Sequence, residues 1–422
     1  MTPEIRDRIN QIRQGRVPEG YKETKAGFAP VDWTEVSLGD IYSERKEAGN
    51  AALPLLMVSI HFGVSGGEID EESLPKKVKR IEDKSQYKRA AIGDLVFNMM
   101  RAWQGAVGTV CTEGMVSPAY IVAKPIGSVN PQFMNYYMKT NRMVYTMRRQ
   151  SYGVTDFRLR LYWDSFAPIQ CALPPIEEQQ KIAEILTAQD KIIVLKEKLI
   201  AEKQRQKKYL VQQLLIGRKR LPGFYRPWKK VKLNQVLTER TEKNQDQHLR
   251  ICSVSVQKGV VDQIEHLGRS YAAADTSHYS VTRYGDIVYT KSPTGNFPYG
   301  IIKQSQLKEN VAVSPLYGVY KPISFELGYL LHTYFGYAVN AKNYLLPVIQ
   351  KGAKNTINIT NSGFISNSLY LPTDQQEQLA LAEIFIVADK EIELLQQSLE
   401  QEEQQKKALM QLLLTGIVRV NV

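Results

Sequence analysis

The stretch LPPIEEQQKIAEILTAQDKIIVLKEKLIAEKQRQKKYLVQQLLIG, residues 173–217, decides the fold, because an altered copy of it occupies residues 371–416. Each copy predicts one long helix. Prolines near the start suit a first helical turn, where a missing N–H costs little, and Gly217 and Gly416 suit the left-handed residue that ends a helix. No Pro or Gly lies between these marks, so each helix should be far longer than an ordinary core helix.

Apolar residues recur at alternating spacings of three and four along both copies, which is typical of a coiled coil. The predicted seam positions are Ile185, Ile192, Leu195 and Leu199 in the first helix and Phe385, Ile392, Leu395 and Leu399 in the second. The simplest partner for each helix is the other one, which predicts an antiparallel pair. The alternative is that each long helix packs on a different globular domain.

The duplication continues into the regions between the helices. Trp33 and Trp228 open matching segments, and GDLVF at residues 93–97 matches GDIVY at residues 285–289 with a nearly constant spacing. The matches fall on short β-branched and aromatic runs bounded by turn residues, which predict strands. We therefore predict an α+β fold, in which two homologous, strand-rich mixed α/β domains are separated by two long helices that form an antiparallel coiled coil with pseudo-two-fold symmetry.

The predicted boundaries follow from these matches. They are residues 1–20 for an N-terminal segment that completes the helical region, 21–172 for the first domain, 173–217 for the first helix, 218–370 for the second domain and 371–422 for the second helix.

Composition narrows the function classes. The formal net charge is +12 and the pI is near 9.3, which favours an anionic partner, most often nucleic acid. Three cysteines without paired spacing argue against a disulfide framework or structural zinc and fit a reducing compartment. No signal-peptide pattern or long apolar run occurs, so we expect a soluble cytoplasmic protein.

Three motifs of common catalytic sites are absent from the sequence. It contains no GxxxxGK[ST], GxGxxG or HExxH pattern, and its five histidines are isolated. No catalytic residue and no metal site is predicted. A binding or scaffold component fits this pattern better than an enzyme.

Two matching loops combine basic, amide and aromatic residues directly after the matching strands, at residues 98–105 (NMMRAWQG) and 291–300 (KSPTGNFPYG). Arg and Lys can contact guanine edges in the DNA major groove, and Asn and Gln can contact adenine edges. The candidate DNA-binding residues here are Arg101, Trp103, Gln104, Lys291, Thr294 and Asn296. The alternative is a polar hairpin turn with an aromatic plug.

A second matching pair precedes the long helices, at residues 148–160 and 350–356. Basic, glycine-containing segments suit contacts with phosphates, which supply affinity rather than sequence information. The candidates are Arg148, Arg149, Ser151, Tyr152, Arg158, Lys351, Lys354 and Asn355. The alternative is a pair of solvated basic turns.

These features together resemble the specificity subunit of type I restriction-modification systems. The resemblance rests on LPPIEEQQKIAEIL at residues 173–186, QKKYLVQQLLIG at residues 206–217, the two tryptophans and the two Gly-Asp strands, and it covers nearly the whole chain. The second helix entry departs from the pattern, because residues 371–378 read LPTDQQEQ and lack the second proline.

The resemblance implies two target recognition domains, each reading one half of a bipartite asymmetric site in double-stranded DNA. It implies helices that set the spacer and dock two DNA adenine methyltransferase (modification) subunits, with restriction or translocase subunits as further partners. The chain itself would be non-catalytic and hold no cofactor, while S-adenosylmethionine, ATP and Mg would belong to the partner subunits. An alternative from another class is a coiled-coil adaptor that joins protein partners without reading DNA.

Overall fold

A computed structural model describes residues 2–50, 52–60, 63–66, 86–155, 158–351 and 357–421. The chain divides into two compact units, Met1–Lys196 with Ser398–Val422 and Glu197–Gln397. Each unit holds one strand-rich domain and a part of both long helices. Within the described residues, no helix combines the length and the apolar character needed to cross a membrane.

The first unit is built on a four-stranded sheet with the order β4-β11-β8-β9, whose neighbours are all antiparallel. Its strands are β1 (Tyr21–Thr24), β2 (Gly27–Pro30), β3 (Thr34–Ser37), β4 (Tyr42–Glu44), β5 (Val58–Ser59), β6 (Gly63–Val64), β7 (Lys88–Ala90), β8 (Leu95–Asn98), β9 (Val107–Thr109), β10 (Gly114–Val116), β11 (Tyr120–Pro125) and β12 (Gln170–Leu173). Its helices are α1 (Pro3–Arg13), α2 (Leu38–Ile41), α3 (Pro131–Tyr137), α4 (Asn141–Gln150), α5 (Trp163–Phe166) and the first part of α6 (Ile176–Leu210). Strands β3 and β12 pair antiparallel directly before α6.

The second unit contains a sheet of the same order, β14-β21-β18-β19, and a mixed sheet of order β16-β15-β20-β17. Its strands are β13 (Lys229–Lys232), β14 (Leu237–Glu239), β15 (Ile251–Ser255), β16 (Gly259–Asp262), β17 (Ser280–Thr282), β18 (Ile287–Tyr289), β19 (Ile302–Gln304), β20 (Val311–Val313), β21 (Gly318–Pro322), β22 (Gln350–Lys351), β23 (Ile357–Asn358) and β24 (Ser368–Leu371). Its helices are α7 (Gln263–Leu267), α8 (Phe325–Phe335), α9 (Ala338–Leu345), α10 (Asn361–Ser366) and the first part of α11 (Gln375–Leu413).

The two units share one topology. Strands β13 and β24 pair as β3 and β12 do, and the parallel pairing of Ile251 with Ala312 in the second unit has its counterpart in the parallel bridge of Leu55 with Met115. A duplicated strand-rich domain with long helices is therefore present, and the predicted fold class is confirmed.

Each domain packs its own core against the long helices. In the first unit, Phe97 and Phe133 are fully buried in a cluster that includes Leu186 of α6 and Leu413 of α11. In the second unit, a smaller cluster around Phe385 joins both long helices to α8. Burying each large apolar side chain contributes roughly 1.5–3 kcal/mol to the free energy of unfolding. The long helices are therefore integral parts of the two domain cores.

The long helices, α6 and α11, run antiparallel in each unit. In the first unit, Lys196 donates to Ser398 Oγ at 2.6 Å and to Glu402 Oε1 at 2.8 Å, while Lys406 pairs with Asp190 at 2.5 Å. In the second unit, Lys203 pairs with Glu391 and Lys207 pairs with Asp389. The predicted pairing of the two helices is therefore observed, and it uses many polar contacts.

The predicted seam of α6 is wrong at three of its four positions. Ile192, Leu195 and Leu199 are exposed, with 40%, 64% and 43% of their surfaces accessible, and Ile185 is half-buried against the first core. The buried positions of α6 in this region are Ile182, Ala183, Leu186, Gln189 and Ile200. The second helix differs, because Phe385 and Ile392 are buried and Leu395 and Leu399 are half-buried.

Two polar residues explain this shift of the seam. Gln189 is only 5% exposed, and its amide donates to Glu402 Oε2 at 2.7 Å, while Lys196 reaches the same carboxylate. Polar residues at seam positions fix register through paired contacts. The face of α6 that contacts α11 is therefore less apolar than the adjacent face. An assignment based on apolar spacing alone selects the adjacent face instead.

A buried carboxylate fastens the start of each long helix. In the first unit, Glu178 is 1% exposed and accepts two hydrogen bonds from Arg419, at 2.7 and 2.6 Å, and one from Trp33 Nε1 at 3.3 Å. Arg419 also binds Asp32 with two hydrogen bonds of 2.8 and 2.6 Å. The segment that follows α11 is thus held against the entry of α6.

The second unit contains the same cluster. Glu377 is fully buried and accepts from Arg220 at 2.7 and 2.8 Å and from Trp228 Nε1 at 3.1 Å. The matching tryptophans of the sequence therefore share one task, which is to donate to the glutamate at the next helix entry.

The edge strand of each four-stranded sheet is capped by a helix side chain. In the first unit, Asn135 Oδ1 accepts from Thr109 N at 3.2 Å, and in the second unit His332 Nδ1 accepts from Gln304 N at 3.0 Å. Desolvation, assisted by the nearby positive charge of Lys303, lowers the pKa of His332 to about 3. A neutral ring that accepts at Nδ1 is required for this bond.

Replacing Arg419 with Ala should lower the free energy of unfolding of the first unit by about 3 kcal/mol, because it leaves the Glu178 carboxylate buried without its cation. Urea unfolding followed by tryptophan fluorescence would measure the change. Adding Glu178→Gln to the variant should recover part of the loss. Equal midpoints for wild type and Arg419→Ala would contradict this role of the cluster.

Acid should weaken the second unit through His332. The unfolded chain takes up a proton below about pH 6.5, whereas the folded chain does not until about pH 3, so stability falls as the pH drops through this window by up to about 1.4 kcal/mol per pH unit. His332→Asn, which copies Asn135, should remove this contribution. Urea midpoints at pH 7.5 and pH 5 test it, and an unchanged pH dependence in the variant would refute it.

Candidate nucleic-acid interface

The Gly-Asp motif sets the direction of each candidate loop. Asp94 accepts two hydrogen bonds from Arg45, at 2.7 and 3.1 Å, and Asp286 accepts two from Arg240, at 2.7 and 2.9 Å. The preceding Gly93 has a φ of +90°, which a larger residue would adopt only with strain. Both carboxylates are buried and fix the turn that leads into β8 or β18.

The loop after β8 is a fixed turn. Residues Ala102–Gln104 form one turn of 3-10 helix that ends at Gly105, whose φ is +92°. Trp103 Nε1 donates to Met100 O at 2.9 Å, which holds the indole half-buried. Arg101 and Gln104 remain exposed beside it.

The fold brings the two predicted segments of the first domain together. The Arg148 guanidinium lies 5.7 Å from the centroid of the Trp103 ring, and Leu161 N donates to Met99 O at 2.9 Å. The exposed Tyr152 packs its ring 5.2 Å from that of Tyr162. Basic and aromatic groups of both segments thus share one surface.

This surface carries much positive charge. Arg149, Arg158 and Arg160 are exposed, and α4 contains no acidic residue. Such a surface attracts the phosphates of DNA whatever the base sequence.

Ser151 is a correction to the predicted set. Its side chain is 9% exposed, and its hydroxyl donates to Met147 O at 2.7 Å at the end of α4. The bond caps a helix carbonyl and directs the hydroxyl into the protein. Ser151 is therefore structural.

The loop of the second domain is a hairpin turn with a buried aromatic plug. Thr294 and Phe297 exchange two backbone hydrogen bonds of 3.0 Å, and Phe297 is 6% exposed. The turn leaves Thr294 and Asn296 exposed at its tip. The segment therefore has the shape of the alternative interpretation, a polar hairpin turn with an aromatic plug. The exposed residues at its tip remain able to contact DNA.

Lys291 is less available than the sequence indicates. Burial lowers its pKa, while the nearby Glu239 carboxylate acts in the opposite direction. Glu239 also accepts from Asn361 Nδ2 at 2.6 Å. This local arrangement was missed, because Glu239 and Asn361 are far from the loop in sequence.

The remaining candidates lie near the end of the second domain. Lys351 ends β22, which pairs antiparallel with β23 in the register of Lys351 with Ile357. Lys354 and Asn355 lie outside the described residues. Elsewhere in the described ranges, no three His, Cys, Asp or Glu side chains converge in a way that could hold a metal ion.

Sequence reasoning missed the outer faces of α4 and α9. Tyr145 of α4 is 61% exposed, and Val339 of α9 is 68% exposed. The position of Tyr145, opposite the buried Met143 and Met147, was readable from helical spacing once residues 141–150 were assigned to a helix.

Comparison with known proteins confirms the resemblance. The chain is 23% identical, over 97% of its length and 98% of the relative's, to the type I restriction enzyme MjaVIII specificity subunit of Methanocaldococcus jannaschii. No model of a protein family matches the chain.

Solved structures share the fold. The type I restriction-modification system S subunit from M. genitalium has a TM-score of 0.54 at 10% identity, covering 92% of this chain and 96% of that chain. A chain from a structural study of complex assembly and conformational transition of the type I R-M system has a TM-score of 0.52 at 15% identity, covering 92% and 99%.

Ser151→Ala should leave the DNA affinity and its salt dependence unchanged, while the lost bond to Met147 lowers stability by about 1 kcal/mol. Arg158→Gln is the matched comparison, and it should weaken binding to all sequences and reduce the salt slope by about 0.9. Titration of a labelled duplex at several salt concentrations measures both. An equal loss of affinity in the two variants would show that Ser151 contacts DNA.

Proposed function

We propose that the chain is the sequence-specific DNA-binding subunit of a type I restriction-modification complex, in which each domain reads one half of a bipartite, asymmetric site. The observation that carries this proposal is the duplicated scaffold with different surface chemistry. Matching Gly-Asp turns present Arg101 and Gln104 in one domain but Thr294 and Asn296 in the other. Two similar scaffolds that present different side chains are suited to reading two different half-sites.

The long helices supply the spacing between half-sites in this proposal. Two readers on one face of B-DNA must be separated by about one helical turn, roughly 34 Å, or a multiple of it. Helices of 35 and 39 residues can set such a distance where a flexible linker could not. Their polar register contacts resist sliding of one helix along the other.

The same helices would dock the modification subunits through their exposed apolar residues. In the first unit these are Ile192, Val194 and Leu195, and in the second Leu199, Ile386, Val387 and Leu394. Exposed apolar residues that cluster on a helix mark surfaces for protein partners. Catalysis, with S-adenosylmethionine, ATP and Mg, would then belong to modification and restriction subunits in the cytoplasm, while this chain remains non-catalytic.

Methylome sequencing tests the proposal directly. Cells without other methyltransferases would express the chain with its neighbouring methyltransferase subunits. The expected result is adenine methylation within one asymmetric motif that has two specified halves and an unspecified spacer. Methylation without a bipartite motif, or none that depends on this chain, would refute the proposed function.

Exchange of residues 21–172 for the corresponding domain of another specificity subunit should change one half of the methylated motif and keep the other half and the spacer. Lengthening both long helices by the same number of residues should change only the length of the unspecified DNA spacer between the half-sites. The candidate loops after β8 and β18 are unchanged in this variant. Methylome sequencing of each variant measures both effects. A domain exchange that alters both half-sites would show that the domains do not read independently.

A further inference from the structure

Helices α4 and α9 occupy equivalent places in the two domains. Each follows a helix that covers the four-stranded sheet, and each buries one face in its own domain. The inner face of α4 presents Met143 and Met147, and that of α9 presents Ala341 and Tyr344. The opposite faces are therefore matched in position and open to a ligand.

The outer face of α4 is basic and aromatic. Tyr145 and Arg149 are exposed one turn apart, and Arg148 lies over the Trp103 ring of the candidate loop. Arg142 also lies on α4, but its guanidinium packs so closely on Gly27 that a Cβ there would lie 2.2 Å from it. Arg149 is thus the arginine of this helix best placed to reach outward.

The outer face of α9 is largely apolar. Val339 is 68% exposed and Leu346, directly after the helix, is 52% exposed, with the exposed Lys342 between them. Leu346 lies eight residues after the start of α9 (346 − 338 = 8), as Arg149 lies eight residues after the start of α4 (149 − 141 = 8). Two exposed apolar side chains at these positions suit a ligand that presents apolar groups.

Helix α9 adjoins the candidate loop of its domain through stacked rings. Tyr289, whose hydroxyl donates to Tyr299 O in the loop at 2.7 Å, stacks on Phe364 at 4.7 Å between centroids. Phe364 in turn lies 5.8 Å from Tyr344 of α9. Buried rings therefore link the candidate loop to the inner face of α9.

We propose that α4 and α9 face the DNA major groove and determine the base chemistry of the two half-sites: Arg149 contacts a guanine in the first, and Val339 and Leu346 contact thymine methyl groups in the second. This inference rests on the proposed function. It assigns which kind of base each domain reads.

Three physical arguments support DNA as the ligand of these faces. An α-helix about 10–12 Å wide matches the major groove, which is about 12 Å wide. Neither helix contains an acidic residue, and the chain as a whole carries a net charge of +12. Guanine presents two acceptors that match a guanidinium, and thymine presents a methyl group that matches valine and leucine.

Base analogues test each contact on the wild-type protein. Duplexes carrying the methylome motif would be bound by the chain in complex with its methyltransferase subunits. Replacing guanine in the first half-site with 7-deazaguanine removes an acceptor and should weaken binding at least about fivefold. Replacing thymine in the second half-site with uracil should weaken binding about fourfold for each contacted methyl.

Two variants link the effects to the named residues. Arg149→Gln should bind guanine and 7-deazaguanine duplexes equally, and Val339→Ser with Leu346→Gln should bind thymine and uracil duplexes equally. Arg13→Gln and Ile323→Gln, exposed residues of the same types elsewhere in each unit, should keep the wild-type sensitivity.

The outcomes separate this inference from the proposed function. A bipartite motif whose first half contains no guanine, or wild-type binding that ignores both analogues, would overturn the inference and leave the function standing. Equal weakening on all sequences by Arg149→Gln, with its sensitivity to 7-deazaguanine retained, would show a phosphate contact and also overturn it. Loss of the bipartite motif itself would reject the function.

Discussion

The structure depends on a buried carboxylate at the entry of each long helix. Glu178 and Glu377 are withdrawn from water, and such a charge is tolerated only with a cation and further donors. Arg419 and Arg220 supply the cation, and Trp33 and Trp228 supply the N–H groups. The requirement joins three remote parts of the chain in the first unit and two in the second, where Arg220 and Trp228 lie eight residues apart (228 − 220 = 8).

That constraint leaves the reading surfaces free to differ. The sheet order and the Gly-Asp turns are the same in both units, yet the surface position eight residues after the start of α4 or α9 holds Arg149 in one and Leu346 in the other. Even inside the scaffold, Asn135 and His332 perform the same edge-capping task with different chemistry. A duplicated frame of this kind separates the residues that maintain the fold from those that meet a ligand.

Much of this fold could be predicted from the sequence, because its strongest signals are local and occur twice. The extents of α6 and α11, the paired strands and the turns at Gly93 and Gly285 all follow from spacing and turn residues. The seam of α6 could not be found by apolar spacing, since Gln189 and Lys196 satisfy their polar groups across the helix pair. Contacts such as Arg419 with Glu178 join residues too far apart for any local pattern, although the recurrence of arginine after both helices was a readable signal.

For the candidate site, the sequence located the loops but not the availability of each side chain. Ser151 turns inward to a helix carbonyl, and Lys291 is half-buried beside Glu239. These outcomes depend on neighbours that only the folded chain brings near. Tyr145 of α4 and the exposed face of α9 were missed for a simpler reason, because they lie outside the matched motifs.

The division of the chain bears on its synthesis. Glu197–Gln397 is one uninterrupted segment, whereas the other unit combines Met1–Lys196 with Ser398–Val422. During synthesis on the ribosome, all residues of the second unit are translated before the first unit receives Arg419 and the apolar end of α11. The domain within Met1–Lys196 must therefore wait for Ser398–Val422, so a chain interrupted before Ser398 lacks residues that complete this unit.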